Sequence, residues 1–161
     1  MSDAPTVSKE ALVAELEQTR EDFHQLLSSL TPEDMKQKSA NPAWTVGQLM
    51  YHLAWGIGYA PPGIRRMQKE KDFNFPRPLL NLMNPWMTRW GAWRTRPEDL
   101  ARKYDKSHEE TLAVLSEVGD DEWGKSAKVI GELETMEQAC RMPITHFREH
   151  QADILKGLGR L

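Results

Sequence analysis

Four long stretches of this chain each open on a helix-capping motif and continue with apolar residues at helical spacing. No convincing two-residue alternation marks a strand. Ser8 starts the first helix, running to about Leu30, with Leu12, Leu16, Thr19, Phe23, Leu26 and Leu30 on one face. Thr45-Val46-Gly47-Gln48 is a capping box, in which a Thr hydroxyl and a Gln side chain satisfy each other's backbone N–H groups. It opens a second helix carrying Leu49, His52, Trp55 (or Gly56) and Tyr59 on one stripe. Thr95-Arg96-Pro97-Glu98 has the same form and opens a third helix through Leu100, Tyr104, Thr111, Leu115 and Val118. Thr135-Met136-Glu137-Gln138 opens the fourth, which should end near Gly157-Leu158-Gly159. Short helical turns are expected after Thr31-Pro32 and at Gly119-Asp120. Pro61-Pro62-Gly63 should end or kink the second helix, and Pro143 should kink the fourth. The reading is an all-α four-helix bundle, one domain over residues 1–161 with residues 1–7 a flexible tail.

Charge and cysteine content remove several classes of function. With 21 basic and 24 acidic residues the net charge is −3, which gives no electrostatic footprint for nucleic acid. No run of 18 apolar residues exists to span a membrane, and the charged N-terminal region cannot form a secretion signal. A lone cysteine, Cys140, excludes an internal disulfide and suits a reducing compartment, so a cytoplasmic location is expected.

Two segments fall outside the bundle pattern. Between helices two and three lies a connection rich in Pro, Met and Trp, with Leu79, Met83, Trp86, Trp90 and Trp93 near a helical stripe. Aromatic residues so spaced more often pack in a core or a dimer interface than build a cofactor site. The arginines around it (Arg65, Arg66, Arg89, Arg94 and Arg96) are expected to be solvated, with one or two available to hold an anionic substrate group. There is also an internal echo. Lys38-Ser39-Ala40 before Thr45-x-x-Gln48 resembles Lys125-Ser126-Ala127 before Thr135-x-x-Gln138, as two related helical hairpins would.

The chemistry-bearing candidates are histidines. His146 and His150 stand one helical turn apart, a spacing that lets two imidazoles reach one metal ion. Their face also carries Ala139, Pro143 and Asp153; the small residues leave room, and Asp153 could accept a ring N–H and fix the metal-binding tautomer. Glu149 is the other nearby carboxylate, a weaker candidate base. Cys140 sits about 100° off this face. His52 on the second helix could supply a third ligand, but His24 and His108 also lie at or beside helical stripes, and spacing does not choose among them. Ordinary imidazoles would release metal as pH falls through about 6.5.

The segment Trp44-Thr45-Val46-Gly47-Gln48-Leu49-Met50-Tyr51-His52-Leu53, together with His146-x-x-x-His150 after the Thr135 capping box, resembles the DinB/YfiT-like family of bacterial four-helix bundles. The resemblance covers essentially the whole chain. It implies a divalent metal, Zn or Ni, held by His52, His146 and His150, and hence a metal-dependent enzyme. It implies transfer on a small-molecule substrate, in some relatives with a low-molecular-weight thiol, or hydrolysis; a homodimer is a further expectation. Three imidazoles would leave a coordination position open for chemistry. The rival reading is a non-catalytic binding or stress protein, with incidental or no metal, that associates through its aromatic segment.

Overall fold

In the computed structural model, which describes residues 8–161, the capping signals become helices almost where the sequence places them. The expected tail, residues 1–7, lies outside the described residues. Helix α1 (Lys9–Ser29) is capped by the Ser8 hydroxyl and buries Leu12, Leu16, Thr19, Phe23 and Leu26. A short helix α2 (Pro32–Lys36) follows, opened by a Thr31–Asp34 capping box. Helix α3 (Val46–Gly56) opens on the Thr45–Gln48 box. One turn of 3-10 helix (Ile57–Tyr59) then steps the chain into α4 (Ala60–Gln68). Pro61 and Pro62 fall in the first turn of α4, where their missing N–H groups have no intrahelical acceptor to lose, so the prolines start a helix and do not stop one.

Helix α5 (Arg77–Arg94) corresponds to the supposed connection and is continuous past Pro85. Helix α6 (Pro97–Ser116) buries Leu100, Tyr104, Thr111 and Leu115. Its expected Thr95 cap does not form. Because α5 runs to Arg94, Thr95 closes that helix, and its hydroxyl donates to the Gly91 carbonyl at 2.8 Å instead of capping α6. Helix α7 (Met136–Gly157) opens on the Thr135–Gln138 box and continues through Pro143.

The bundle is α1 and α6 packed beside the α3–α4 pair and α7, with α5 laid on the outside of α3. One core cluster gathers around Phe23, Tyr104 and Phe147, the first two stacked at 4.0 Å. A second gathers Leu16, Ile64, Met67, Leu115, Met136 and Ile144. The contact of α5 with α3 is close because position 91 has no side chain: a Cβ on Gly91 would overlap the Tyr51 phenol.

A β-hairpin corrects the strand-free reading. Strand β1 (Ser126–Val129) pairs antiparallel with β2 (Glu132–Thr135). Each strand has four residues and only Ala127 is buried, so there is too little alternation to register as a pattern. The two-residue turn is Ile130-Gly131, both left-handed at φ 52° and 86°. That is the backbone of a tight primed turn, which favours Asn-Gly and is strained for a β-branched residue. Ile130→Asn should therefore raise stability by about 1 kcal/mol; an unchanged or lowered denaturation midpoint would contradict the turn assignment. The hairpin also holds Phe73 through Phe73 N–H to Lys128 O and Ile130 N–H to Phe73 O, each 2.8 Å.

The two segments of the internal echo each pair antiparallel with the Thr that caps the next helix, but one residue out of register with the echo, which aligns Lys38 with Lys125. Lys38 bridges Thr45 antiparallel just as Ser126 pairs with Thr135. The first helical N–H after each Thr donates back across the strand pair, Val46 to Gln37 O and Met136 to Lys125 O.

A three-histidine group on the wall of a cavity

His52 comes from the middle of α3; His146 and His150 come from successive turns of α7. These helices pack against each other, and the three imidazoles converge, one ligand nitrogen from each lying within 4.8 Å of the others. His52 Nε2 and His146 Nε2 are 3.0 Å apart. Nitrogens around a tetrahedral zinc with 2.0–2.1 Å bonds stand about 3.3 Å apart, so one ion fits this set with small side-chain adjustments. It is the only group of three or more His, Cys, Asp or Glu with metal-ligand spacing among the described residues.

The surroundings hold the rings in place. Trp44 stacks on His52 at 4.5 Å and meets His150 edge-on at 6.1 Å. Its buried indole N–H has no acceptor among the described residues. Asp153 Oδ2 lies 3.0 Å from His150 Nδ1, so a proton on that nitrogen leaves Nε2 free as a lone-pair donor. Glu149 is exposed on another side of α7 and makes no hydrogen bond to the triad among the described residues. Gly56, one turn after His52, lies against the His146 ring: a Cβ there would sit 2.6 Å from its Cε1. The sequence had Trp55 and Gly56 as alternatives for the inner stripe; Gly56 is inside, while Trp55 and Tyr59 face out.

Burial sets the protonation. Loss of water pushes His52 down to about 4, with His150 as a like-charge neighbour adding to it. His146 is pushed down to about 3 by burial first, then by His52 and His150. Both rings are therefore neutral at physiological pH, the form that binds metal, and protons compete at these two positions only well below 6.5. His24 and His108 belong elsewhere. His24 on α1 meets Asp105 at 2.7 Å, and His108 on α6 is buried 3.3 Å from Glu17. Cys140 is buried, with its thiol pushed up to about 12 by desolvation and Glu137, so it stays protonated.

His52, Gly56 and His146 form part of the wall of a cavity of about 580 Å³, within the range of small-molecule sites. Its remaining walls come from α4, α5, α7 and the hairpin, which places Val129 and Glu134 at the site and holds Phe73 there. Sequence spacing gave no sign of this hairpin wall. The only local cue was Gly131, a residue that takes a left-handed backbone freely.

Fold and site together define a helical bundle with a largely buried three-histidine group beside a cavity of small-molecule size. The chain belongs to the DinB superfamily, whose family model matches residues 15–154. No curated protein matches it. Among solved structures it resembles the mycothiol-dependent maleylpyruvate isomerase, with a TM-score of 0.72 at 14% identity, covering 96% of this chain and 63% of that one. A histidine-to-alanine variant of that isomerase aligns with the same TM-score at 13% identity. At such identity the likeness is one of fold, and this chain spans 63% of the isomerase's length.

Proposed function

We propose that the protein is a metal-dependent enzyme that carries a divalent ion, Zn or Ni, on His52, His146 and His150 and acts on a small molecule in the adjoining cavity. The observation that carries the reading is the convergence of three imidazoles on one point, two of them, His52 and His146, on the wall of a cavity large enough for a substrate. Such an ion, with a position left open, would acidify a bound water or thiol and polarise an electrophile. The chain's own part is to keep the imidazoles neutral and aligned: Asp153 orients His150, Trp44 braces His52, and Gly56 leaves space for His146. Glu149, exposed one residue before His150, is the weaker choice for a proton-moving group. The reaction is transfer, with a low-molecular-weight thiol as the candidate co-substrate because an isomerase of the same fold is mycothiol-dependent, or hydrolysis.

Elemental analysis of untagged protein tests the reading directly. The parent should hold about one equivalent of divalent metal, and the folded triple variant His52→Ala, His146→Ala, His150→Ala should hold none. A parent that stays metal-free after reconstitution would remove the proposal.

A second reading concerns association. Trp86, Trp90 and Trp93 are 68%, 54% and 83% exposed, while α5 turns Thr88 and Gly91 inward. The helix is thus inverted, with its apolar stripe outward, and the three rings alone leave roughly 400–500 Å² uncovered. With Leu82 and Met87 beside them this approaches the about 800 Å² per partner of a standard interface. A second copy packed on α5 accounts for the face, whether or not the protein is an enzyme. Sedimentation should give a dimer for the parent and a monomer for Trp86→Glu with Trp90→Glu; a monomeric parent at high concentration would defeat this reading. No described helix is long and apolar enough to cross a membrane.

A further inference from the structure

The cavity beside the histidines has a second polar region that the metal reading does not use. Arg66, on α4, lines it together with Asn84 from α5 and Glu134 from β2; the surfaces between are apolar, from Met67, Phe73, Leu80 and Met142. The two neighbouring arginines behave differently. Arg65 points to solvent and binds Glu117 at 2.9 Å. Arg66 is half-buried and lies over the Phe73 ring, 4.5 Å from its centroid, with no carboxylate partner among the described residues. Stacking on an aromatic face fixes the guanidinium plane and leaves its N–H donors unspent, the state in which arginine binds an oxyanion in two-pronged fashion. The hairpin holds Phe73 by two backbone hydrogen bonds, so the platform under Arg66 is itself fixed.

Glu134 is the carboxylate on this wall. It forms no ion pair with Arg66 among the described residues and lines the cavity as a separate carboxylate. The positive charge of Arg66 is therefore left for a ligand.

We propose that Arg66, stacked on Phe73, anchors a carboxylate of the small-molecule substrate. The apolar body of that substrate lies along Leu80 and Met142, and its far end reaches the His52–His146 wall. The inference rests on the reading of the three-histidine group as the reactive centre. The substrate class is then an organic acid with an apolar body, and Glu134 sets a limit on it by repelling a second anionic group.

Calorimetric titration with 3-phenylpropionate and with its uncharged amide tests this, on the parent and on Arg66→Met, each with and without one equivalent of Zn. Methionine keeps an unbranched stem against Phe73 and removes the donors. The parent should bind the acid about ten-fold or more tightly than the amide whether or not Zn is present, and Arg66→Met should lose that preference. Equal affinities, or no binding of either probe, would overturn the proposal, as would a preference that survives Arg66→Met. A preference seen only with Zn would place the carboxylate on the metal and overturn it too. Glu134→Gln is the second variant, expected to tighten acid binding several-fold by removing a like charge; unchanged affinity would count against Arg66 acting in this cavity. Failure of the metal reading itself shows separately, as absence of Zn binding in the parent, and leaves the Zn-free comparison intact.

Discussion

Gly56→Ala should strip the three-histidine group of metal while the bundle stays folded. The added carbon would stand 2.6 Å from His146 Cε1, inside any allowed contact, and the ring must turn away. Gly56 has ordinary right-handed helical angles, φ −60° and ψ −40°, so alanine gains about 1 kcal/mol of helix propensity there. Crowding takes back about 1–3 kcal/mol, so the net loss of stability is at most about 2 kcal/mol and the bundle stays folded. Metal affinity has no such compensation. Displacing a group that only orients a ligand costs 10–100-fold, and displacing the ligand should cost about 100-fold or more. A competition titration with a zinc chelator, run beside circular dichroism, reads both quantities. Parent-like zinc affinity in a folded Gly56→Ala variant would show that His146 is not a ligand.

The metal-free protein should lose stability as pH falls from about 6.5 towards 4, with a slope that His52 and His146 supply. Both pKa values are lower in the folded chain, at about 4 and about 3, than the 6.5 of an exposed imidazole. Between those limits the unfolded chain binds more protons than the folded one, so stability rises with pH across the window and is lost on acidification. The total is of the order of a few kcal/mol. Most depressed carboxylates act in a lower range: Glu122, held down to about 2 by Lys125, the Gly119 N–H and Gln68, loses its contribution as pH falls from the usual carboxylate range towards about 2. Urea midpoints from pH 7 to pH 5 for the parent and for His52→Gln with His146→Gln isolate the histidine part. The variant should show a clearly flatter profile; matching slopes would mean that these imidazoles titrate as exposed ones do. Bound metal would steepen the parent's profile, so the comparison is made after chelation.

The helices were legible because local chemistry specifies them. Ser8, Thr45 and Thr135 each accept a backbone N–H in the first turn, and the spacing of Leu12, Leu16, Thr19 and Phe23 dictates which face of α1 turns inward. Where local chemistry had two outlets, the sequence reading failed. Thr95 has a hydroxyl suited to capping the next helix, yet it closes the preceding one, a choice set by how far α5 extends. The aromatic stripe of α5 reads as core or dimer interface by periodicity, and periodicity does not choose between them. It lies outside because α5 turns Thr88 and Gly91 inward, Gly91 against the Tyr51 phenol.

The sequence by itself determined that this chain is a helical bundle and that His146 and His150 share a face, since both follow from the 3.6-residue turn. Spacing left His52, His24 and His108 open and the family resemblance pointed to His52; the tertiary structure brings His52 to the pair, because that choice depends on which face of α3 meets α7. Packing also decided the protonation of His52 and His146, through removal of water. It brought Arg66, Phe73 and Glu134 to the same cavity from three separate elements. Periodicity records the angle of a residue about its own helix; distances between residues 94 positions apart exist only once the helices have packed.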